Sequence, residues 1–149
     1  MKILLALDTT AIASETIATL ERMFAPADSS VVVLSVVGDN DAEVVPSPVL
    51  LASVAQNLAV IEADHVRTHE ERVTRAVKEL RTAGFEASGD VRYGDPRHAI
   101  VEAAQAHAAD LVVIGCHERS SVRRLLMGSV ASHVASHAPC NVLVVRHAE

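Results

Sequence analysis

Four short apolar runs punctuate the chain: ILLAL at 3–7, VVVLSVV at 31–37, LVVIG at 111–115 and NVLVV at 141–145. Each is rich in β-branched residues and apolar at consecutive rather than alternating positions. A strand with one wet face alternates, whereas a strand buried on both faces does not. The runs therefore predict a parallel sheet covered by helices on each side. A fifth segment, FEASGDVRY at 85–93, is more polar and is expected to form an edge strand.

Helical periodicity fills the intervals. Ala13, Ile17, Leu20 and Phe24 fall on one stripe that stops before Pro26. Between Pro48 and Gly84 two stripes follow one another: Leu51, Val54, Leu58 and Ile61, then Val66, Val73, Val77 and Leu80. Their register slips between Ile61 and Val66, which predicts a kink or break there and an irregular first part. Gly84 reads as a C-terminal stop. Asp95-Pro96 should open the next helix, with Asp as N-cap and Pro pre-setting the first turn. Its apolar face runs through Ile100, Ala104 and Ala108 and ends near Asp110. The last helix should start near Gly128-Ser129, carry Val130 and Val134, and end before Pro139. The segment GDNDAEVVPSPV at 38–49 is expected to be the one long loop.

The order that results is β-α-β-α-β-α-β-α-β, without repeat, linker or low-complexity tract. It predicts a single-domain, doubly wound α/β sheet over residues 1–149, with right-handed crossovers. Such sheets bind ligands outside the strand carboxyl ends, where the winding direction reverses. With the first strand central, the turn after it (Asp8) and the turn after the fourth (Gly115) face one another.

Composition narrows the function. The chain has no Trp, one Tyr and two Phe, so Val, Leu, Ile and Ala must build its core. A net charge of −6 argues against a general nucleic-acid binder, and aromatic platforms for single strands are missing. The opening MKILLALD is apolar for too few residues to be a signal peptide or a membrane span. Cys116 and Cys140 are isolated thiols without CxxC spacing, which suits a reducing cytoplasm and gives no support to a disulfide or zinc site.

The stretch GCHERSSVRRLLMGS at 115–129 carries the candidate chemistry. Gly115 lets the backbone turn sharply and lets a ligand approach without a Cβ in the way. The helix starting near Gly128 offers unpaired N–H groups, and the Ser129 hydroxyl can donate to a phosphate oxygen. Arg119, Arg123 and Arg124 add positive charge, and Asp8 could accept hydrogen bonds from a ribose or a base, or hold a metal beside a phosphate. The plainer reading is an N-cap followed by an apolar helix, with solvated arginines. His117 is read either as a donor to phosphate or as a solvated loop side chain.

At this point the residues resemble the universal stress protein family, over essentially the whole chain. Its nucleotide-binding members carry G-x2-G-x9-G-[ST] after the fourth strand. Gly115, Gly128 and Ser129 keep that spacing, with Glu118 in place of the second glycine. ILLALDTT, LSVV, YGDP, DLVVIGCH, RRLLMGSVASHV and PCNVLVVR add to the likeness. The resemblance implies a five-stranded parallel sheet in order 3-2-1-4-5 and ATP, accompanied by Mg²⁺, as ligand. Asp8 then matches the residue that contacts adenosine, and Val36 and Ile114 match residues at the adenine pocket. Gly115, Gly128, Ser129 and Val130 match those holding ribose and phosphates. A homodimer through the last strand, about Val142 to Val145, is also implied.

Other chemistries find no footing. There is no GK[ST] ending, no GxGxxG after the first strand and no GxSxG elbow. No nucleophile–base pair is visible, so slow ATP turnover is the most expected of it as an enzyme. The histidine pairs His65/His69 and His133/His137 have helical i, i+4 spacing but no HExxH and no third ligand in sequence, and are read as solvent-facing or helix-end residues. Two functions remain: a cytoplasmic, dimeric stress-response protein binding ATP weakly as a regulatory ligand, or a non-binding member acting through protein–protein contacts. Glu118 is the residue on which they divide, because a side chain there adds left-handed strain and negative charge near a triphosphate.

Overall fold

The computed structural model describes residues 1–7, 10–38, 51–116 and 128–146, and for 10–12 and 51–62 it describes the helical backbone only. Five strands alternate with four helices: β1 Lys2–Leu7, α1 Thr10–Met23, β2 Ser30–Val37, α2 Leu51–Thr82, β3 Glu86–Tyr93, α3 Pro96–Ala106, β4 Leu111–Cys116, α4 Ser129–His137 and β5 Asn141–Arg146. A short 3-10 turn, Pro26–Asp28, ends the approach to β2. The strands form one parallel sheet in the order β3-β2-β1-β4-β5, as the resemblance implies.

Both faces of the sheet are buried, which is why the strand sequences do not alternate. Ile3, Leu5, Val31, Val33 and Val113 point to the layer of α1 and α2, where they meet Ile17, Leu20, Val73, Ala76 and Leu80. Leu4, Ala6, Val32, Leu34, Val112 and Ile114 point to the other layer, against α3 and α4. There the contact is made by Ala99, Ile100, Ala103 and Ala104 from α3, with Ala131 and Val134 from α4. Alanines at these positions let α3 lie close to the sheet. β3 is the edge strand expected from its polar sequence, and it exposes Glu86 and Ser88.

The edge strand is held by polar contacts as well as packing. Asp90 on β3 accepts from Arg92 Nε at 3.0 Å, and its Oδ2 lies 2.8 Å from Nε2 of His107, the residue that caps the C-terminus of α3. Burial raises the Asp90 carboxyl, but the hydrogen bonds to His107 and Arg92 outweigh it, so the net shift is downward. Gly84 closes α2 at φ +95, the left-handed conformation expected of a C-terminal glycine stop.

Two expectations fail here. The predicted break near 61–66 is absent, and α2 runs unbroken through all 32 residues. Glu62, Ala63, Asp64 and His65 contain no Pro or Gly to interrupt it, and the real buried stripe is His69, Val73, Ala76 and Leu80. The run Glu62-Ala63-Asp64-His65, without a large apolar residue, and a histidine on that stripe make the register look slipped. α3 also stops at Ala106 rather than near Asp110, and Ala108 lies beyond it with φ 49. The loop expected at 39–49 lies outside the described residues. Among those described, no helix is long and apolar enough to cross a membrane.

Candidate nucleotide-binding cleft

The register of the three central strands decides where a site can form. Leu34 of β2, Ala6 of β1 and Ile114 of β4 lie side by side, so the carboxyl ends of these strands finish together. A cleft of about 810 Å³ opens there, where the winding direction reverses. Its apolar wall is Ala6, Leu34, Val36 and Ile114 from the strands, with Ile100 from α3 and Val130 from α4. Gly115 and Ser129 complete the side formed by β4 and the start of α4.

Of the residues singled out in the sequence, Val36, Ile114, Gly115, Ser129 and Val130 therefore come together in one cleft. Gly128 is the N-cap of α4 and accepts the first helical hydrogen bond, from Ser132 N–H at 2.9 Å. Asp8, His117, Glu118, Arg119, Arg123 and Arg124 lie outside the described residues.

Gly128 is informative because nothing among the described residues demands it. Its φ is −57, a value open to any residue, and a Cβ built on it would meet no atom of the described residues within 4 Å. Glycine at such a place is needed only if something else must approach the backbone closely. A molecule resting on the exposed N–H groups of the α4 start would be such a thing.

The cleft has a second, polar wall that the sequence reading did not assign. His65, Thr68, His69 and Arg72 reach it from α2, and Asp95, Pro96 and Arg97 from the start of α3. The α2 residues follow the spacing i, i+3, i+4, i+7, one polar face of a helix. That spacing is a usable signal in the sequence, masked by the apolar stripes of the same helix. At about 1.5 Å per residue α2 is roughly 48 Å long, about twice an eight-residue strand, so part of it stands beside the strand ends.

His69 corrects a further expectation. It is not solvent-facing but 8% exposed, and its Nδ1 lies 2.7 Å from the Oγ of Ser35, itself 1% exposed. Ser35 is the polar interruption in the VVVLSVV run, and this contact satisfies it.

At the α3 start, Asp95 acts as the predicted N-cap. Its Oδ1 accepts from the Arg97 backbone N–H at 2.9 Å and from Arg97 Nε at 3.0 Å. These bonds, side chain first, hold the Asp95 carboxyl well below the usual carboxylate range and raise the Arg97 guanidinium in turn. The cleft thus presents a fixed ion pair on one rim and a helix N-terminus nearby. Neither Cys116 nor Cys140 is in a disulfide. Burial, then the charge of Asp110, pushes the Cys140 thiol up, away from reactivity. Among the described residues no group of His, Cys, Asp or Glu is arranged to hold a metal ion.

Comparison with known proteins bears on the family and the fold. The model of the universal stress protein family matches residues 1–146. A universal stress protein of Synechocystis is 28% identical over 98% of this chain and 97% of its own length. Among solved structures, hypothetical protein MJ0577 superposes with a TM-score of 0.78 at 22% identity, covering 99% of this chain and 96% of the other. A universal stress protein from Archaeoglobus fulgidus in complex with dAMP superposes at 0.63, with 22% identity and 97% and 96% coverage. Other solved members of the family are in complex with cAMP or, from Arabidopsis thaliana, with AMP, at 19% and 16% identity.

Proposed function

The chain belongs to the universal stress protein family, and we propose that it binds an adenine nucleotide, ATP with Mg²⁺, weakly and as a regulatory ligand. The observation that carries this reading is the cleft itself. It combines an apolar wall fit for a base at Val36 and Ile114 with a helix start at Ser129, capped by a Gly128 that no described residue requires to be glycine. Val36 and Ile114 would flank the base, and Gly115, Gly128, Ser129 and Val130 would hold ribose and phosphates. Asp8 would meet the adenosine part. The adenine nucleotides carried by solved family members support the ligand class.

The role is regulatory rather than catalytic, with slow hydrolysis at most, in a cytoplasmic homodimer joined through β5. Weak binding follows from Glu118, which stands where the family's pattern has its second glycine. A side chain there costs about 1 kcal/mol or more if the backbone must be left-handed, and its charge opposes a triphosphate. The retained helix-end site keeps the loss partial.

Calorimetric titration of ligand-stripped protein with ATP and Mg²⁺ tests the reading. One weak, saturable site is expected in the parent, tightened in Glu118→Gly. If ATP binds neither protein, the nucleotide reading falls and action through protein–protein contacts takes its place.

A further inference from the structure

Three histidines beside the cleft form a chain of ring contacts centred on His133. His98 stands in the first turn of α3, while His133 and His137 lie one turn apart on α4. The rings of His98 and His133 meet edge to face with centroids 5.0 Å apart. Those of His133 and His137 are stacked, 4.1 Å apart and 12° from parallel. The sequence shows only an i, i+4 pair on α4; the third imidazole comes from another helix.

Among the described residues, the charged groups that face this cluster are Asp95 and Arg97 of α3. His98 Nδ1 is 3.8 Å from Asp95 Oδ2, the same oxygen that accepts from Arg97 Nε at 3.0 Å. Asp95 and Arg97 also line the cleft, as does Ser129, which sits one turn before His133 on α4. Cluster and cleft therefore share an ion pair and a helix end.

We propose that the His98–His133–His137 cluster is a proton-linked regulator of the cleft, tightening the hold on an anionic polyphosphate ligand as pH falls. This rests on the nucleotide reading above. Uncharged imidazoles stack without penalty, and Asp95 keeps Arg97 paired. Each proton added to the cluster sets a cation against its neighbours and against Arg97. His133 meets this most directly: burial, then His137, His98 and Arg97, hold its protonation below the ordinary histidine value, with only Asp95 pulling the other way. A polyphosphate beside Arg97 and the α4 start offsets that repulsion. A charged His98 also gives Asp95 a second cation, which loosens Arg97 for the ligand. Anion and proton then favour each other, and the coupling is reciprocal.

The test compares the parent with a His98→Gln, His133→Gln, His137→Gln triple variant, titrated calorimetrically with ATP and Mg²⁺ at about pH 7.5 and about pH 6. Two buffers of different ionisation enthalpy report the protons taken up. ATP's own protonation is common to both proteins and cancels in the comparison. The parent should gain about fivefold or more in affinity over the variant on acidification, with extra proton uptake. The two should agree near pH 7.5. Histidine ring signals of the parent, followed by NMR, should titrate at higher pH once ATP is bound. Equal pH dependence in both proteins, or ring titrations unmoved by ATP, overturns the inference while leaving nucleotide binding intact. Absence of ATP binding at either pH overturns both. If the triple variant fails to fold, the ring titrations of the parent decide alone.

Discussion

Nδ1 of His69 and Oγ of Ser35 lie 2.7 Å apart, both side chains buried, joining α2 to β2 beside the cleft. A buried polar pair is tolerated because each satisfies the other, and removing one partner exposes that cost. Ser35→Ala should therefore destabilise the fold by about 1–2 kcal/mol. In a double-mutant cycle with His69→Leu, the combined loss should fall short of the sum. Urea unfolding measures both; strict additivity would mean that the pair is not coupled.

This pair also marks where the sequence stopped being legible. The strand runs at 3–7, 31–37, 111–115 and 141–145 were plain because both faces of each strand are buried. Val73 and Leu80 were plain for the matching reason on α2. His69 belongs to the same stripe, but its side chain does not read as apolar, so an unbroken helix looked interrupted. The glycine and serine of the loop were visible through their spacing. The polar wall from α2 and α3 was not, because it exists only when elements distant in sequence meet at the strand ends.

Gly89 on the edge strand should resist enlargement. A Cβ there would lie 2.4 Å from Cγ1 of Val73, whose branched side chain is buried and stiff. Gly89→Ala should cost about 1–3 kcal/mol by overpacking. Adding Val73→Ala should return part of that loss in the same unfolding assay, which a general intolerance of substitution in β3 would not produce.

The Asp95 cap should show itself through pH. Its carboxyl is held below the ordinary value, so the folded state gains from its ionisation above pH 3.8 and loses that gain as pH falls further. Asp95→Ala should lower the thermal midpoint at neutral pH, and Asp95→Asn less so, since Asn still caps. The gap between parent and Asp95→Ala should close as the medium is acidified below that value. A gap that stays constant in acid would assign the effect to something other than the charged carboxylate.

The proposed association through β5 rests on its place at the sheet edge, where β4 is the one strand paired with it among the described residues. A run of Val142, Leu143, Val144 and Val145 on an open edge invites pairing with a second copy. Light scattering at micromolar protein should give about twice the 15.8 kDa of the chain. Val144→Lys, with its circular dichroism unchanged, should shift the mass toward the monomer. A monomeric parent, or a dimer indifferent to this change, would place the interface elsewhere.

The most direct test of the nucleotide cleft is the dissociation constant of ATP with Mg²⁺ for Gly128→Ala beside that of the parent. The described residues leave room for the added methyl and the Gly128 backbone admits it, so thermal stability should be unchanged. A ligand lying against the α4 start would meet that methyl, and affinity should fall about tenfold or more, equivalent to about 1.4 kcal/mol. Binding of ATP to the parent with unaltered affinity in Gly128→Ala would contradict the placement of the phosphates at this helix start.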